Sequence, residues 1–177
     1  MPLSDIVKRI SIDDSLIEYS SYLDNKISLC DKFSLNEWHT IIADFDSDLE
    51  WKDFLLEFSD YAQCYVFYRR RDHMPIAFAF FLQEDDKGKV VSVHGGGWCK
   101  TIECTMLYYR CYICLIQVLL NLKIKVRTAC LKDNKVAERF IRSVGFVQYE
   151  ETFTSYLFWI NESRLKRSKI YKYIILK

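Results

Sequence analysis

Glycine and proline are scarce in this chain, with 5 Gly and 2 Pro among 177 residues. That scarcity excludes collagen-like, low-complexity and loop-dominated architectures. An excess of one charge is also missing. The 25 Lys and Arg face 24 Asp and Glu, a formal net charge of +1. No global field therefore gathers nucleic acid or an anionic membrane, and neither is expected as a partner. The three histidines, His39, His73 and His94, are scattered. The first residues, MPLSDIVKRI, lack the apolar core of a secretory signal. Seven cysteines are an odd number, and several lie inside apolar runs. These features predict a reduced, cytoplasmic chain with buried thiols. Cys111 and Cys114 have the CxxC spacing of redox or zinc sites. They lack a second such pair and sit in a continuous apolar pattern, where thiols behave as small hydrophobes, so no metal is expected.

What the chain has in quantity is apolar and aromatic surface. Half of its residues are hydrophobic, with 12 Tyr, 12 Phe and 4 Trp. That is enough for one domain over 1–177 with a sizeable core. The loose alternation of Ile6–Ile12 predicts a first strand, and the stretch to Ala62 reads as helical with breaks. Ser34 to Glu37 and Ser47 to Glu50 are capping-box patterns. The second predicts a helix from Asp48 to about Ser59 that buries Leu49, Leu55, Leu56 and Phe58. Cys64–Asp72, Pro75–Glu84 and Val90–Trp98 read as three strands joined by short turns, an antiparallel meander. Ala77 and Ala79 make one face of the middle strand small enough for a close-packed helix. Arg69, Arg70 and Arg71 are either a phosphate patch or a solvated strand end.

Ile102–Leu122 predicts one long helix, apolar almost all round, with Glu103, Arg110 and Gln117 as its polar stripe. A membrane span is the rival reading. Arg110 near its midpoint would oppose insertion by roughly 2.5–3.5 kcal/mol, so a core helix packed on a sheet is expected. The stretch Ile124–Glu150 is the most structured in the chain. A β-branched run breaks at Asp133, with Asp133 or Asn134 as helix cap. Val136, Ala137, Phe140, Ile141 and Val144 then fall on one helical face, and Gly145 is the stop. Tyr156–Ile160 and Ile170–Leu176 read as closing strands around a basic turn. Their Tyr156, Tyr171 and Tyr173 offer a pairing surface between subunits, leaving monomer and homodimer both open.

The order strand, helices, meander, long helix, strand, short helix, two strands resembles the Gcn5-related N-acetyltransferase (GNAT) superfamily. Asn134, Ala137, Arg139, Gly145 and Phe146 follow a strand at the spacing frequent there. The look is nearest to the branch of ribosomal-protein and phage-type acetyltransferases. The order of elements covers about residues 60–177, and the residue-level match covers 124–150. The resemblance implies an α+β, three-layer fold: a mixed, mostly antiparallel twisted sheet flanked by helices, with a splayed parallel strand pair. It also implies acetyl-coenzyme A as co-substrate and an amine as acceptor. The chain departs from the family pattern twice. The usual phosphate loop, Arg or Gln, x, x, Gly, x, Gly or Ala, is absent. Ile141 stands where many relatives carry the tyrosine that protonates the leaving thiolate.

Splayed strands expose backbone amides that bind a pantetheine arm like an added strand. The pyrophosphate then rests on the N-terminus of the long helix. This places the cofactor contacts at Val93, His94, Gly95, Gly96, Gly97, Lys100 and Thr101, with Asn134 and Arg139 from the short helix. The three glycines are either a ligand cradle or a bulge that ends a strand. Asn134 is a pantetheine contact or only a helix cap. His94 is the best-placed general base or a histidine bonded at a strand end. Glu103 is a second base candidate or an ordinary first-turn acid. Tyr108, Tyr109 and Tyr149 are candidates for the missing acid. The helical half, residues 12–62, is expected to cover the acceptor side. Two further readings stay open: a degenerate relative that works as an acyl-coenzyme A-binding or interaction module, and an unrelated α/β domain.

Overall fold

A computed structural model of the chain describes residues 2–27, 29, 35–42, 49–85, 87–98 and 100–175. Its elements are α1 (Leu3–Val7), β1 (Ile17–Ser21), a 3-10 turn (Tyr22–Asp24), α2 (Leu35–Ile41), α3 (Trp51–Glu57), β2 (Ala62–Arg69), β3 (Met74–Gln83), β4 (Val90–Gly97), α4 (Ile102–Asn121), β5 (Lys125–Leu131), α5 (Lys135–Val144), β6 (Val147–Glu151), β7 (Ser155–Ile160), α6 (Glu162–Arg167) and α7 (Lys169–Ile175). The strands form one sheet in the order β1-β2-β3-β4-β5-β7-β6. Every neighbouring pair is antiparallel except β4 and β5, which run parallel. The mixed, mostly antiparallel sheet flanked by helices is the one expected.

Alternation along the meander builds the two cores. Ala77, Ala79 and Phe81 of β3 face one way and join Leu107, Cys111 and Leu115 of α4. Phe78, Phe80 and Leu82 face the other way and join Trp38, Trp51 and Phe54 from α2 and α3. The small alanines, fully buried, let α4 lie close to the sheet. On the opposite side the indoles of Trp38 and Trp51 approach with ring centroids 4.0 Å apart.

Among the described residues α4 alone is long and apolar enough to cross a membrane. Here its apolar surface packs on β3, β5, α6 and α7. Its midpoint cation is bound inside the protein. Arg110 Nε donates to Asp14 Oδ2 at 2.6 Å, and Arg110 Nη1 donates to Ile174 O at 3.0 Å. One guanidinium thus ties the segment before β1 and the last helix to α4.

Three expected elements differ. Ile6–Ile12 contains no strand: Leu3, Ile6 and Val7 are the buried face of α1, and the first strand is β1. A closing strand is expected over Ile170–Leu176; residues 170–175 belong to helix α7 and Leu176 lies outside the described residues, so Tyr171 is buried in a helix and the sheet edge is β6. Local caps won over the β-leaning residue types there. Asn161 Oδ1 accepts from Arg164 N at 2.9 Å, and Ser168 Oγ accepts from Tyr171 N at 3.0 Å. Helix α3 starts at Trp51 rather than Asp48 and buries Trp51, Phe54 and Leu55, while Leu56 is 63% exposed. Ser34 and Ser47, the starts of the two capping boxes, and Asp48, the expected helix start, lie outside the described residues.

Asp14 is 7% exposed, and its carboxylate also accepts from Leu16 N at 2.8 Å. Asp14→Ala leaves Arg110 without its carboxylate. It should lower unfolding stability by roughly 3 kcal/mol, seen as a lower urea midpoint at unchanged slope.

Candidate functional site

The parallel pair β4–β5 is short. It joins Val90 to Lys125, Val91 to Val126 and Ser92 to Arg127, and goes no further. Beyond that point β4 continues to Gly97 against β3, and β5 continues to Leu131 against β7. Each strand keeps its outer neighbour while the inner edges part. The backbone groups facing into that V lack a strand partner, and such groups need some other partner.

The V opens on the α4 and α5 side into a cavity of about 510 Å³. Its lining is largely apolar, with Val93, Ile116, Val136, Ile141 and Phe146 among the contributors. Tyr108, Tyr109 and Tyr112 of α4 gather around Phe140 of α5, with ring centroids 4.7, 4.7 and 5.4 Å from it. Pantetheine-sized ligands favour this kind of site, apolar walls carrying a few polar groups. On the other sheet face lies a wider groove of about 1280 Å³, lined by Ser92, Arg127, Lys132, Tyr149 and Leu157 among others. Thr40, Ile41, His94, Thr128, Ala129 and Leu131 line both spaces. The two therefore meet where β4 and β5 part, and α2 contributes to the junction.

The expected site residues divide between these spaces. Val93, His94, Gly95, Asn134 and Arg139 line the cavity. Tyr149 lies in the groove, under the Arg127 guanidinium at 5.3 Å, and Arg127 also pairs with Glu84 at 3.0 Å. Burial raises the Tyr149 hydroxyl pKa, with Arg127 pulling the other way. Gly96, Gly97, Lys100, Thr101 and Glu103 do not line the cavity. Lys100 and Thr101 are exposed at the start of α4, where Thr101 Oγ1 accepts from Cys104 N at 3.2 Å. Glu103 is an ion-pair partner there: its Oε2 accepts from Arg69 Nη1 at 3.1 Å and from Arg71 Nη2 at 3.2 Å. Asn134 Oδ1 caps α5 by accepting from Ala137 N at 3.0 Å. Gly145, with φ of 110°, ends that helix in the left-handed conformation.

The glycine run forms no bulge, because β3–β4 register is continuous from Gln83–Val91 to Ala77–Gly97. Its small size serves packing. A Cβ on Gly95 would fall 1.0 Å from Tyr112 Oη, one on Gly96 2.7 Å from the Phe78 ring, and one on Gly97 2.9 Å from the Tyr108 ring. Tyr112 uses the space at Gly95 to donate to Phe78 O at 2.6 Å, and burial pushes its pKa well above the ordinary value. Sequence reasoning passed over Tyr112. Its signal was present in the pairing of an aromatic on the long helix with glycines on a strand that the helix must cover.

His94 is 8% exposed, with Nε2 2.6 Å from Ser92 Oγ. Burial lowers its pKa to about 4, so the ring is neutral at pH 7. It can accept or relay a hydrogen bond there but is a weak proton acceptor.

Solved structures share this architecture. One is the Campylobacter jejuni N-acetyltransferase PseH in complex with acetyl coenzyme A, at 14% identity and TM-score 0.55 over 83% of this chain and 99% of that one. Another is FdhC, a nucleotide-linked sugar GNAT, at 10% identity and TM-score 0.61 over 96% and 99%. A third is the ribosomal-protein-S5-alanine acetyltransferase from Vibrio fischeri, at 13% identity and TM-score 0.52 over 88% and 98%. No family model and no curated protein matches the sequence, so the likeness is one of structure. The chain has the GNAT fold.

Two outcomes test this geometry. Gly95→Ala should displace Tyr112 and lower stability by roughly 1–3 kcal/mol in urea unfolding. The second concerns pH. A histidine whose folded pKa is depressed stabilises the fold above its unfolded pKa, and that stability fades as pH falls through the folded value. Unfolding free energy should therefore drop by up to about 3 kcal/mol between pH 6.5 and 4. His94→Asn should flatten that slope.

Proposed function

We propose that this protein is an acetyl-coenzyme A-dependent N-acetyltransferase acting on an amine acceptor. The observation that carries this reading is the parting of β4 from β5 after Ser92 and Arg127, with an apolar cavity behind it. On this reading the pantetheine arm adds to the inner edges at Val93 to Gly95 and reaches the wall formed by Asn134 and Phe140. The pyrophosphate rests at the start of α4, near Lys100 and Thr101, with Arg139 on the cavity's far side. Glu103 is held by Arg69 and Arg71, which offsets the negative charge it brings to that helix end. The likeness to an N-acetyltransferase bound to acetyl coenzyme A supports the same cofactor here.

The acceptor enters from the groove on the α2 face. An alkyl ammonium with a pKa near 10.4 must lose its proton before attack, which costs about 4–5 kcal/mol at pH 7. Its nitrogen lone pair then adds to the thioester carbonyl carbon, the C–S bond breaks, and the electron pair leaves on sulfur. His94 with Ser92, at the junction of the two spaces, relays the departing amine proton to solvent. Tyr149, across the groove, orients the acceptor rather than supplying an acid to the thiolate.

A second reading has its own observation. Ile141, where many GNAT relatives carry an acidic tyrosine, lines the cavity at 7% exposure. That favours a module which binds acyl-coenzyme A without turnover. Acetyl-coenzyme A at about 100 times its Kd should stabilise the fold by about 2.7 kcal/mol, or roughly 5–10 °C in a thermal-shift titration. No shift at millimolar ligand would sink both readings. Thiol release with an amine panel separates enzyme from binder.

A further inference from the structure

The reacting carbon must be reached from both sides, by the coenzyme from the cavity and by the acceptor from the groove. It must therefore lie among the residues that line both. Thr128 is one of them, and it is the first β5 residue beyond the last parallel pair, Ser92–Arg127. It sits on the same strand face as Val126 and Cys130, which belong to the core on the α4 side. Thr128 is 7% exposed, yet its hydroxyl meets no hydrogen-bond partner among the described residues. Thr40, the other hydroxyl at the junction, does have a partner. The hydroxyl is not among the fully buried atoms left unpaired; it lies on the cavity wall, where a ligand group can take the place of water.

Building on the acetyltransferase reading, we infer that the Thr128 hydroxyl donates a hydrogen bond to the coenzyme sulfur and stabilises the departing thiolate. The step balances without a proton from Thr128. The amine nitrogen forms the C–N bond, the C–S bond breaks, and its electron pair stays on sulfur. The nitrogen proton passes to solvent, and the thiolate takes a proton from solvent after release. An ordinary thiol titrates near 8.5, so its thiolate needs a hydrogen bond more than it needs a strong acid. Thr128 on β5 thereby fills part of the role that Ile141 on α5 leaves open.

The test reads the coenzyme rather than an acceptor. Free coenzyme A is bound to the wild-type protein, to Thr128→Val and to Thr128→Ser, and its thiol is titrated by ultraviolet thiolate absorbance. The titratable groups around the cavity are His94, Tyr108, Tyr109, Tyr112, Cys130 and Arg139. All are retained in each variant, so a difference isolates the hydroxyl. The bound thiol should titrate about one unit lower, a tenfold stronger preference for thiolate, in wild type and Thr128→Ser than in Thr128→Val. Affinity at pH 6, where the thiol is protonated, should agree within about twofold in all three. Equal titration in wild type and Thr128→Val overturns the role of Thr128 alone. Failure of the wild type to bind coenzyme A overturns it together with the acetyltransferase reading.

Discussion

The site depends on one constraint: backbone amides and carbonyls inside a protein need partners. Two parallel strands that separate within a sheet leave a row of such groups facing each other across a gap. In this chain β4 and β5 hold together for three residue pairs and then diverge, each kept straight by its antiparallel neighbour. The resulting V is a strand-shaped vacancy with defined polarity. An extended amide chain such as pantetheine is the chemistry that matches it.

The rest of the fold keeps that vacancy open on one side and reachable from the other. Small residues on β3 and β4 admit α4 closely, and Tyr112 fastens the helix to the sheet through the space at Gly95. The ion pair of Arg110 with Asp14 secures the opposite flank of α4. Helix α5, capped by Asn134 and stopped at Gly145, sets Phe140 among the α4 tyrosines to form the cavity wall. The junction with the outer groove falls at the residues that line both spaces, His94 and Thr128 among them.

Much of this was legible in the sequence where local signals were strong. The meander, the long helix and the strand–helix unit from Ile124 to Gly145 each combine clear periodicity with caps, and they form as expected. The short terminal elements were misread for a physical reason. Ile, Tyr and Val lean toward strands by propensity, but five to seven such residues take whatever form their caps and neighbours impose. The caps were present, Asn161 at α6 and Ser168 at α7, and they outweighed the propensity. Within the site, residue types were legible but roles were not. Gly95 to Gly97 suggested a cradle or a bulge; they form no bulge, and their missing side chains accommodate Tyr112, Phe78 and Tyr108. That distinction rests on contacts between elements far apart in the chain. Glu103 likewise belongs to Arg69 and Arg71, more than 30 residues upstream.

The most direct measurement of the central claim is amide hydrogen exchange with and without acetyl-coenzyme A. If the ligand completes the sheet, added protection should concentrate in residues 93–97 and 128–131 and at the first turn of α4, while β1, β2 and β6 change little. Protection that spares the inner edges of β4 and β5, or that falls elsewhere in the chain, would contradict the account.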